Sequence, residues 1–200
     1  MDPLAKLGED INAAIAKKNF REAAKCLVEF ELQACNQPMD AIAPTITMEM
    51  LALLVLEDYN NARYLWKRLP PAAKRTRDLA RAWMMGAALF KKDYPAFYAA
   101  SNHAWNARCR VFVDRILETV RAKNAETIGR SYTVVSIGDI APALGMTPDE
   151  ALAFARTHGW EYDAATRMVK PVAPPPRVTA EAASLDLISN MTQYVIGLDA

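Results

Sequence analysis

The segment TPDEALAFARTHGWEYDAATRMVKP, residues 147–171, decides the fold of the C-terminal part of this chain. Thr147, Pro148 and Glu150 supply a hydroxyl cap, a proline at the first helical position and an acid at the third, which predicts the start of a helix. Farther on, GWEY and RMV flank DAAT and predict two short strands around a turn. The segment therefore predicts a helix followed by a β-hairpin.

The residues before this segment supply the rest of a known arrangement. TVV at residues 133–135 is a β-branched run that predicts a short strand. Ser136, with Asp139 three residues later, predicts a helix that ends near Gly145. A strand, two helices joined by a tight turn and a hairpin follow one another in the order of a winged helix. We therefore predict a winged-helix subdomain over residues 126–171.

The first 125 residues predict an array of helices. Alanine accounts for 36 of the 200 residues and glycine for 7, which favours closely packed helices. Asn19, Asp58 and Asp93 each precede an aromatic residue and can cap a helix. Their spacings of 39 and 35 residues are close to a tetratricopeptide-type repeat. An irregular helical-repeat domain over residues 1–125 is the prediction, and ordinary helical hairpins with Asn or Asp caps are the alternative.

The helices of this mostly α-helical domain follow from the apolar periodicity and the caps. The last one presents Val113, Ile116, Leu117 and Val120 on one face and predicts a long spine helix. The expected spans are 3–17, 20–35, 45–57, 59–68, 77–92, 94–102 and 106–124.

The end of the chain predicts a spacer and one more helix. KPVAPPPRV holds four prolines in nine residues and predicts an extended linker, assigned to residues 172–178. Residues 179–200 then predict a helix with a broad apolar face formed by Leu187, Ile188, Met191, Tyr194, Val195 and Leu198. Burying five such side chains at roughly 2 kcal/mol each contributes about 10 kcal/mol gross, whereas a lone helix is marginal in water. This helix is expected to dock on a partner or, alternatively, on the body of its own chain.

The charge distribution favours protein over nucleic acid as the partner. The chain has a formal charge of +1, and residues 133–171 have a formal charge of −2. Asp149 and Glu150 begin the helix that a DNA-binding winged helix would place in the major groove. The free edge of the hairpin sheet is the candidate protein contact, and Trp160 and Val169 are expected in its small core. The one local basic cluster is interpreted as a solvated face or a contact for an acidic partner: Lys67, Arg68, Lys74, Arg75 and Arg77.

The residue types needed for catalysis or metal binding do not come together in the sequence. His103 and His158 are the only histidines and no Cys-x-x-Cys pair occurs, so no zinc site is predicted. Ser101 and His103 are two residues apart, point in different directions on a helix and do not predict a nucleophile and its base. No glycine-rich phosphate loop is found. We expect no catalytic residue, no cofactor, no metal and no enzymatic activity.

The cysteines and the N-terminus predict an intracellular protein. Cys26, Cys35 and Cys109 are odd in number and widely spaced, which is typical of buried thiols in a reducing compartment. The first residues lack the pattern of a signal peptide, and no window reaches about 18 uninterrupted apolar residues. A soluble chain without a membrane partner is expected.

Four stretches carry a resemblance to a known family: NARYLWKRLPPAAK at residues 61–74, SYTVVSIGDIAPALGMTPDEA at 131–151, HGWEYDAATRMVKP at 158–171, and MTQYVIGLD near the end. They resemble the PCI domain family, whose members occur in the proteasome lid, the COP-nine signalosome and translation initiation factor three. The blocks RYLWKR and GW…TRMV are similar to the eighth-subunit signalosome branch of that family. The resemblance runs from about residue 58 to residue 171.

The resemblance implies a non-catalytic scaffold in a complex that removes the ubiquitin-like modifier Nedd from cullin-RING ligases. It implies other signalosome PCI subunits as partners, chiefly the third, a shared bundle of C-terminal helices, and a place in nucleus and cytoplasm. Trp160, Arg167 and Met168 are expected to organise the wing, and the apolar residues of 179–200 to enter the bundle. A related subunit of the proteasome lid or of initiation factor three is the alternative, and a winged-helix nucleic-acid binder is a further one.

Overall fold

The computed structural model describes residues 3–34 and 36–173. This part of the chain is mostly helical and contains one small three-stranded sheet, as the sequence predicts. The elements are α1 (Pro3–Ala16), α2 (Phe20–Gln33), α3 (Met39–Val55), α4 (Tyr59–Arg68), α5 (Pro71–Lys74), α6 (Arg77–Lys91), α7 (Tyr94–Ser101), α8 (Ala107–Ser131), β1 (Val135–Ser136), α9 (Ile137–Leu144), α10 (Pro148–Thr157), β2 (Glu161–Asp163) and β3 (Met168–Lys170).

Three connectors between helices share one geometry, and they confirm the helix starts predicted at Asn19, Asp58 and Asp93. In each, a residue in the left-handed region is followed by an Asn or Asp whose side chain accepts a hydrogen bond from the backbone N–H three residues on. The backbone N–H of that capping residue donates to a carbonyl five residues back, at 2.9 Å in all three cases. These bonds satisfy backbone groups that helix ends otherwise leave unpaired. The left-handed residues are Lys18, Glu57 and Lys92.

Two predicted helix boundaries are wrong. Helix α3 begins at Met39 instead of residue 45 and keeps Pro44 in its interior. A proline inside a helix costs about 3 kcal/mol, but Ile42 and Ile46 are buried on either side of it and contribute roughly 1.5–3 kcal/mol each. Burial therefore outweighs the lost hydrogen bond. Helix α8 runs to Ser131 instead of residue 124, and the other five predicted helices agree within two residues at each end.

Two hydrophobic cores share helix α8. Phe112 and Ile116 of α8 lie in the first core, which the helices α1 to α7 form with it. Ala125 and Ile128 of the same helix lie in the second core, with α9, α10 and the sheet. The predicted boundary between residues 125 and 126 thus falls inside a continuous helix, because that helix buries apolar residues on both sides of it.

The sheet has the strand order β1-β3-β2, and both pairs are antiparallel. Val135 and Tyr162 both lie opposite Val169 in the register, so these three side chains share the face that packs on the second core. The strand predicted at residues 133–135 is observed at Val135–Ser136. The shift follows from α8, which ends only at Ser131 and leaves residues 132–134 to form the connection.

Three side chains of the first eight helices hold the second core in place through the end of α9. The Tyr98 hydroxyl donates to the carbonyl of Ala143 at 3.3 Å, and Asn124 Nδ2 donates to the same carbonyl at 2.6 Å. Arg121 Nε donates to the carbonyl of Leu144 at 3.1 Å. The last carbonyls of a helix have no partner within it. The helix end therefore serves as the attachment point between the two cores.

Candidate functional site

The hairpin of β2 and β3 closes through a turn that its own side chains stabilise. The Asp163 carboxylate accepts hydrogen bonds from the Ala165 backbone N–H at 2.9 Å and from the Thr166 hydroxyl at 2.7 Å. The Thr166 hydroxyl and the Ala165 N–H hold the pKa of Asp163 below its ordinary value. Arg167 completes the turn with φ of 56°. The DAAT stretch therefore forms a defined turn, as predicted.

The three residues predicted to organise the wing, Trp160, Arg167 and Met168, differ in burial and in contacts. Trp160 is only 7 % exposed and lies in the second core, with its ring edge-on to Phe154. Arg167 joins the turn to α9, because its carbonyl accepts from the Ile137 N–H at 3.3 Å. Met168 lies opposite Ser136, and its side chain is partly exposed. Trp160 thus supports the hairpin from inside, while Arg167 and Met168 lie at its surface.

An exposed apolar cluster lies at the start of β3 and in the residues that precede β1 and follow β3. It consists of Tyr132, Val134, Met168 and Val172, which are between 39 % and 55 % exposed. Because β1 and β3 are antiparallel, residues before β1 and residues after β3 lie at the same end of the sheet, which places Tyr132, Val134 and Val172 there. Met168 lies opposite Ser136 towards the other end, and alternation along the strands puts it on the same outer face as Val134. Of these four residues, the sequence predicts only Met168. The signal for Tyr132 and Val134 is their spacing of two next to a strand.

Both outer strands of the sheet keep a free edge within the described part of the chain. Strand β3 lies in the middle, so β1 and β2 each pair on one side only. Across the β2–β3 ladder, Glu161 lies opposite Lys170, and their charged ends are 3.6 Å apart. An unpaired strand edge offers N–H and C=O groups to a strand from another protein. Together, the exposed apolar cluster and the free edges form the candidate interaction surface.

The start of α10 is acidic. Thr147 and Glu150 form the predicted capping box: the Thr147 N–H donates to Glu150 Oε2 at 2.8 Å, and the Glu150 N–H donates to Thr147 Oγ1 at 3.3 Å. These hydrogen bonds with Thr147 lower the pKa of Glu150. Asp149 adjoins it in the same turn. An acidic first turn repels a phosphate backbone, which argues against a nucleic-acid interface here.

Ser101 and the two histidines, the side chains considered above for catalysis or metal binding, make contacts within the chain. The Ser101 hydroxyl donates to the carbonyl of Tyr98 at 2.9 Å, while His103 Nε2 lies 2.8 Å from Asp78 Oδ1. His158 stacks on Phe154. Among the residues that the structure describes, no three His, Cys, Asp or Glu side chains are placed to hold a metal ion. None of the helices in that part of the chain is both long and apolar enough to span a membrane.

The basic cluster is not a purely solvated face. Arg68 reaches Glu31 and Glu49, with its Nη2 3.4 Å from Glu49 Oε1. Lys74 lies over the ring of Trp66, 5.6 Å from its centroid, in a cation–π contact. Two members of the predicted cluster therefore make contacts within the chain.

The predicted docking residues of the last helix lie outside the described residues, as do residues 174–178 of the linker. Their proposed role stays a prediction. They are Leu187, Ile188, Met191, Tyr194, Val195 and Leu198.

Comparison with known proteins finds relatives of this sequence that share one name. Residues 41–179 match the CSN8/PSMD8/EIF3K family. The chain is 31 % identical to COP9 signalosome complex subunit 8 of Danio rerio over 178 residues, covering 88 % of this chain and 93 % of the relative. It is 32 % identical to the protein of that name from Xenopus tropicalis, covering 90 % and 94 %. For the one from Arabidopsis thaliana the identity is 27 %, covering 94 % and 97 %.

Proposed function

This chain belongs to the CSN8/PSMD8/EIF3K family, and from that membership we propose that it is a non-catalytic scaffold subunit of a COP9 signalosome. The main support for the proposal is that the similarity extends over most of the chain. Relatives from a fish, a frog and a plant share one name and align with this chain over most of both sequences. In this proposal the complex removes the modifier Nedd from cullin-RING ligases, and the cleavage belongs to another subunit.

The proposed mode of assembly uses the winged helix and the helix predicted at residues 179–200. Residues 126–171 act as a winged helix whose free strand edge adds to the sheet of a neighbouring subunit, foremost the third. The exposed apolar cluster supports this role, because four partly exposed apolar side chains on and beside a small sheet favour burial against a protein. The helix predicted at residues 179–200 joins a bundle of partner helices, and the helical-repeat part carries the winged helix.

The family name includes two other complexes, which supply the alternative. A subunit of the proteasome lid or of translation initiation factor three would have the same kind of fold and also no active site of its own. The relatives' shared name favours the signalosome. A winged-helix nucleic-acid binder is disfavoured by the acidic start of α10, where Asp149 and Glu150 stand in the first turn.

Affinity purification of the tagged chain followed by mass spectrometry tests the proposal. We expect the other signalosome subunits and cullins in stoichiometric or near-stoichiometric amounts. Recovery of proteasome ATPases or ribosomal subunits in their place would assign the chain to one of the alternative complexes. A salt-sensitive shift of duplex DNA by the purified chain at physiological ionic strength would revive the nucleic-acid hypothesis. Imaging of the tagged chain checks the proposed distribution between nucleus and cytoplasm.

A further inference from the structure

A small apolar cavity lies between the end of α3 and the helices α4 and α6. Its volume is about 150 Å³, and an apolar cavity of about this size holds one benzene ring. Three of its lining side chains are aromatic, namely Tyr59, Trp83 and Phe90. Phe90 is 60 % exposed, so the aromatic lining extends to the surface of the protein. The cavity can therefore receive one ring-sized side chain from outside the helical core.

The charges around this cavity have one sign. Arg63 and Lys91 line it and are exposed, and none of the described residues in its lining is acidic. Within the described part of the chain, neither of these two bases forms an ion pair. Residues 59–91, which supply most of the lining, contain eight Lys or Arg and one acid, Asp78. The cavity is therefore complementary to a segment that combines apolar side chains with unpaired acids.

The end of this same chain has that composition. Residues 178–200 contain three acids and no Lys or Arg. Two of the acids, Asp186 and Asp199, directly flank the apolar stripe predicted from Leu187 to Leu198. The segment thus offers a carboxylate at each end of its apolar part, and the cavity offers two cations beside an apolar centre.

One side chain of this segment matches the cavity in shape and in chemistry. Tyr194 is the only aromatic residue after residue 173, and it belongs to the predicted apolar stripe. Its ring is the size that the cavity holds, and aromatic rings pack favourably edge-on or offset against one another. A tyrosine also keeps its hydroxyl at a polar rim while its ring is buried.

The linker is long enough for this contact. Glu57, two residues before Tyr59 of the lining, forms an ion pair with Lys123 of α8. From Lys123 the helix rises about 12 Å to its end at Ser131, where the connection into β1 begins. Residues after β3 leave the sheet at that same end. Residues 174–186 span up to about 40 Å in an extended polyproline conformation.

We propose that, in the chain on its own, residues 186–199 fold back onto this cavity, with the Tyr194 ring inside it and the flanking acids beside Arg63 and Lys91. This inference goes beyond the proposed function, which gives the same segment to a bundle of partner helices, so the contact is released when the complex forms. A tethered segment has an effective concentration in about the millimolar range, and a weak contact is therefore enough. The cavity shields the apolar stripe until partners replace it.

A photo-crosslinking residue at position 194 of the isolated, full-length chain tests the contact. Benzoylphenylalanine keeps an aromatic ring there, and mass spectrometry should find it joined to residues 59–63 or 83–91 of the same chain. An adduct to another part of the chain, an adduct to a second copy, or no adduct would overturn the proposal. No other subunit is present, so this result is independent of whether the proposed function holds.

Charge reversal tests why the segment binds there. Arg63→Glu combined with Lys91→Glu should lower the yield of that adduct about tenfold, because two attractions become repulsions. Lys6→Glu combined with Lys17→Glu is the matched control, since both bases are exposed and lie outside the cavity, and the yield should not change. All four sites are exposed, so the melting temperatures should stay near that of the unaltered chain. An unchanged yield in the first variant would refute the selection by charge and with it the proposal.

Hydrogen exchange supplies a measurement that needs no crosslinker. A lone helix of this length is marginal in water, so the amides of residues 186–198 exchange slowly only when the segment is covered. Tyr194→Ser should speed their exchange about tenfold in the isolated chain. Gln193→Ser, on the opposite side of the predicted helix, is the control and should leave the exchange unchanged. Equal exchange in the unaltered chain and in Tyr194→Ser would contradict the proposed place of the ring.

Discussion

Gly145 lies directly beneath the ring of Tyr98, in the connection between α9 and α10. Its φ of 62° is in the left-handed region, and a Cβ atom built on it would overlap three atoms of the ring. The Tyr98 hydroxyl reaches past this point to the carbonyl of Ala143 at 3.3 Å. The two cores therefore meet at a contact that only glycine allows.

Replacing this glycine should strongly destabilise the protein. We expect Gly145→Ala to lower the free energy of unfolding by about 2–4 kcal/mol, since the left-handed backbone and the overlap with Tyr98 both oppose a side chain. Chemical denaturation measures the change. Gly159→Ala is the matched control, because Gly159 has φ of 70° but no atom within 4 Å of a built Cβ, and its cost should be only about 1 kcal/mol. Equal losses for the two variants would contradict the role given to Tyr98.

The left-handed residues that precede the helix caps predict a stabilising substitution. Lys92 directly follows the last residue of α6 as its C-cap, has φ of 59° and is exposed. We expect Lys92→Gly to raise the free energy of unfolding by about 0.5–1 kcal/mol, because glycine adopts this conformation without strain. Thermal denaturation would show it as a higher melting temperature. Lys91→Gly, one residue earlier and still helical, should instead cost about 1 kcal/mol.

The buried Glu49 predicts how stability depends on pH. The carboxyl group has an ordinary pKa of 4.5 and a pKa of about 8 in the folded chain, so the folded state binds the proton more tightly. Its contribution to stability is complete below pH 4.5 and is lost as the pH rises towards 8, at up to about 1.4 kcal/mol per pH unit.

Glu49→Gln isolates this contribution, because glutamine resembles the protonated acid and does not titrate. Urea denaturation at pH 6, 7 and 8 should give a shallower decline for this variant than for the unaltered chain. Glu118→Gln, at an exposed carboxyl group on α8, is the control and should keep the original slope. An unchanged slope in Glu49→Gln would show that other groups cause the decline.

The cysteines predict a pattern of chemical labelling. Burial raises the pKa of the Cys109 thiol to about 11, so on the order of 0.1 % of it is thiolate at pH 8. The pKa of Cys26 is raised too, chiefly by partial burial, but this thiol is closer to solvent. Timed alkylation with iodoacetamide and mass spectrometry should label Cys26 first and Cys109 only after denaturant is added. Comparable rates in the native protein would mean that the first core opens readily.

The exposed apolar cluster predicts a loss of assembly without a loss of folding. Met168→Asp should weaken binding to the complex assembled from the other signalosome subunits by at least tenfold, or about 1.4 kcal/mol. The change in the free energy of unfolding should stay within about 0.5 kcal/mol, because Met168 is a partly exposed side chain. Met84→Asp, at an exposed apolar residue of α6, is the control for an added surface acid and should leave binding unchanged. Normal binding by Met168→Asp would remove this cluster from the proposed interface.

Features that depend on neighbouring residues could be predicted from the sequence. A helix cap joins residues only three positions apart, so a short stretch of sequence is enough to predict it. The predicted caps are observed for Thr147 with Glu150, for Ser136 with Asp139 and at Asp93. The burial of Trp160 also followed from its place in a hairpin beside a helix.

Features that depend on distant residues could not be predicted in the same way. Tyr98 contacts Gly145, and Arg68 contacts Glu31 and Glu49, between segments whose separation along the chain carries no local pattern. The early start of α3 is a related case. Pro44 is a local signal against a helix, but α3 forms around it because its residues are buried against parts of the chain that are distant in sequence. Cys35 and the residues after 173 lie outside the described part of the chain.

Helix α8 has a mechanical consequence for the assembled state. It runs without a break from Ala107 to Ser131 and buries residues in both cores. Its rise of 1.5 Å per residue puts its end about 28 Å along the axis from Phe112. In the proposed assembly, a neighbour that pulls on the sheet therefore acts on a stiff helix, and the strain reaches the centre of the first core. The proposed scaffold would transmit load from one neighbour to the next with little bending between them.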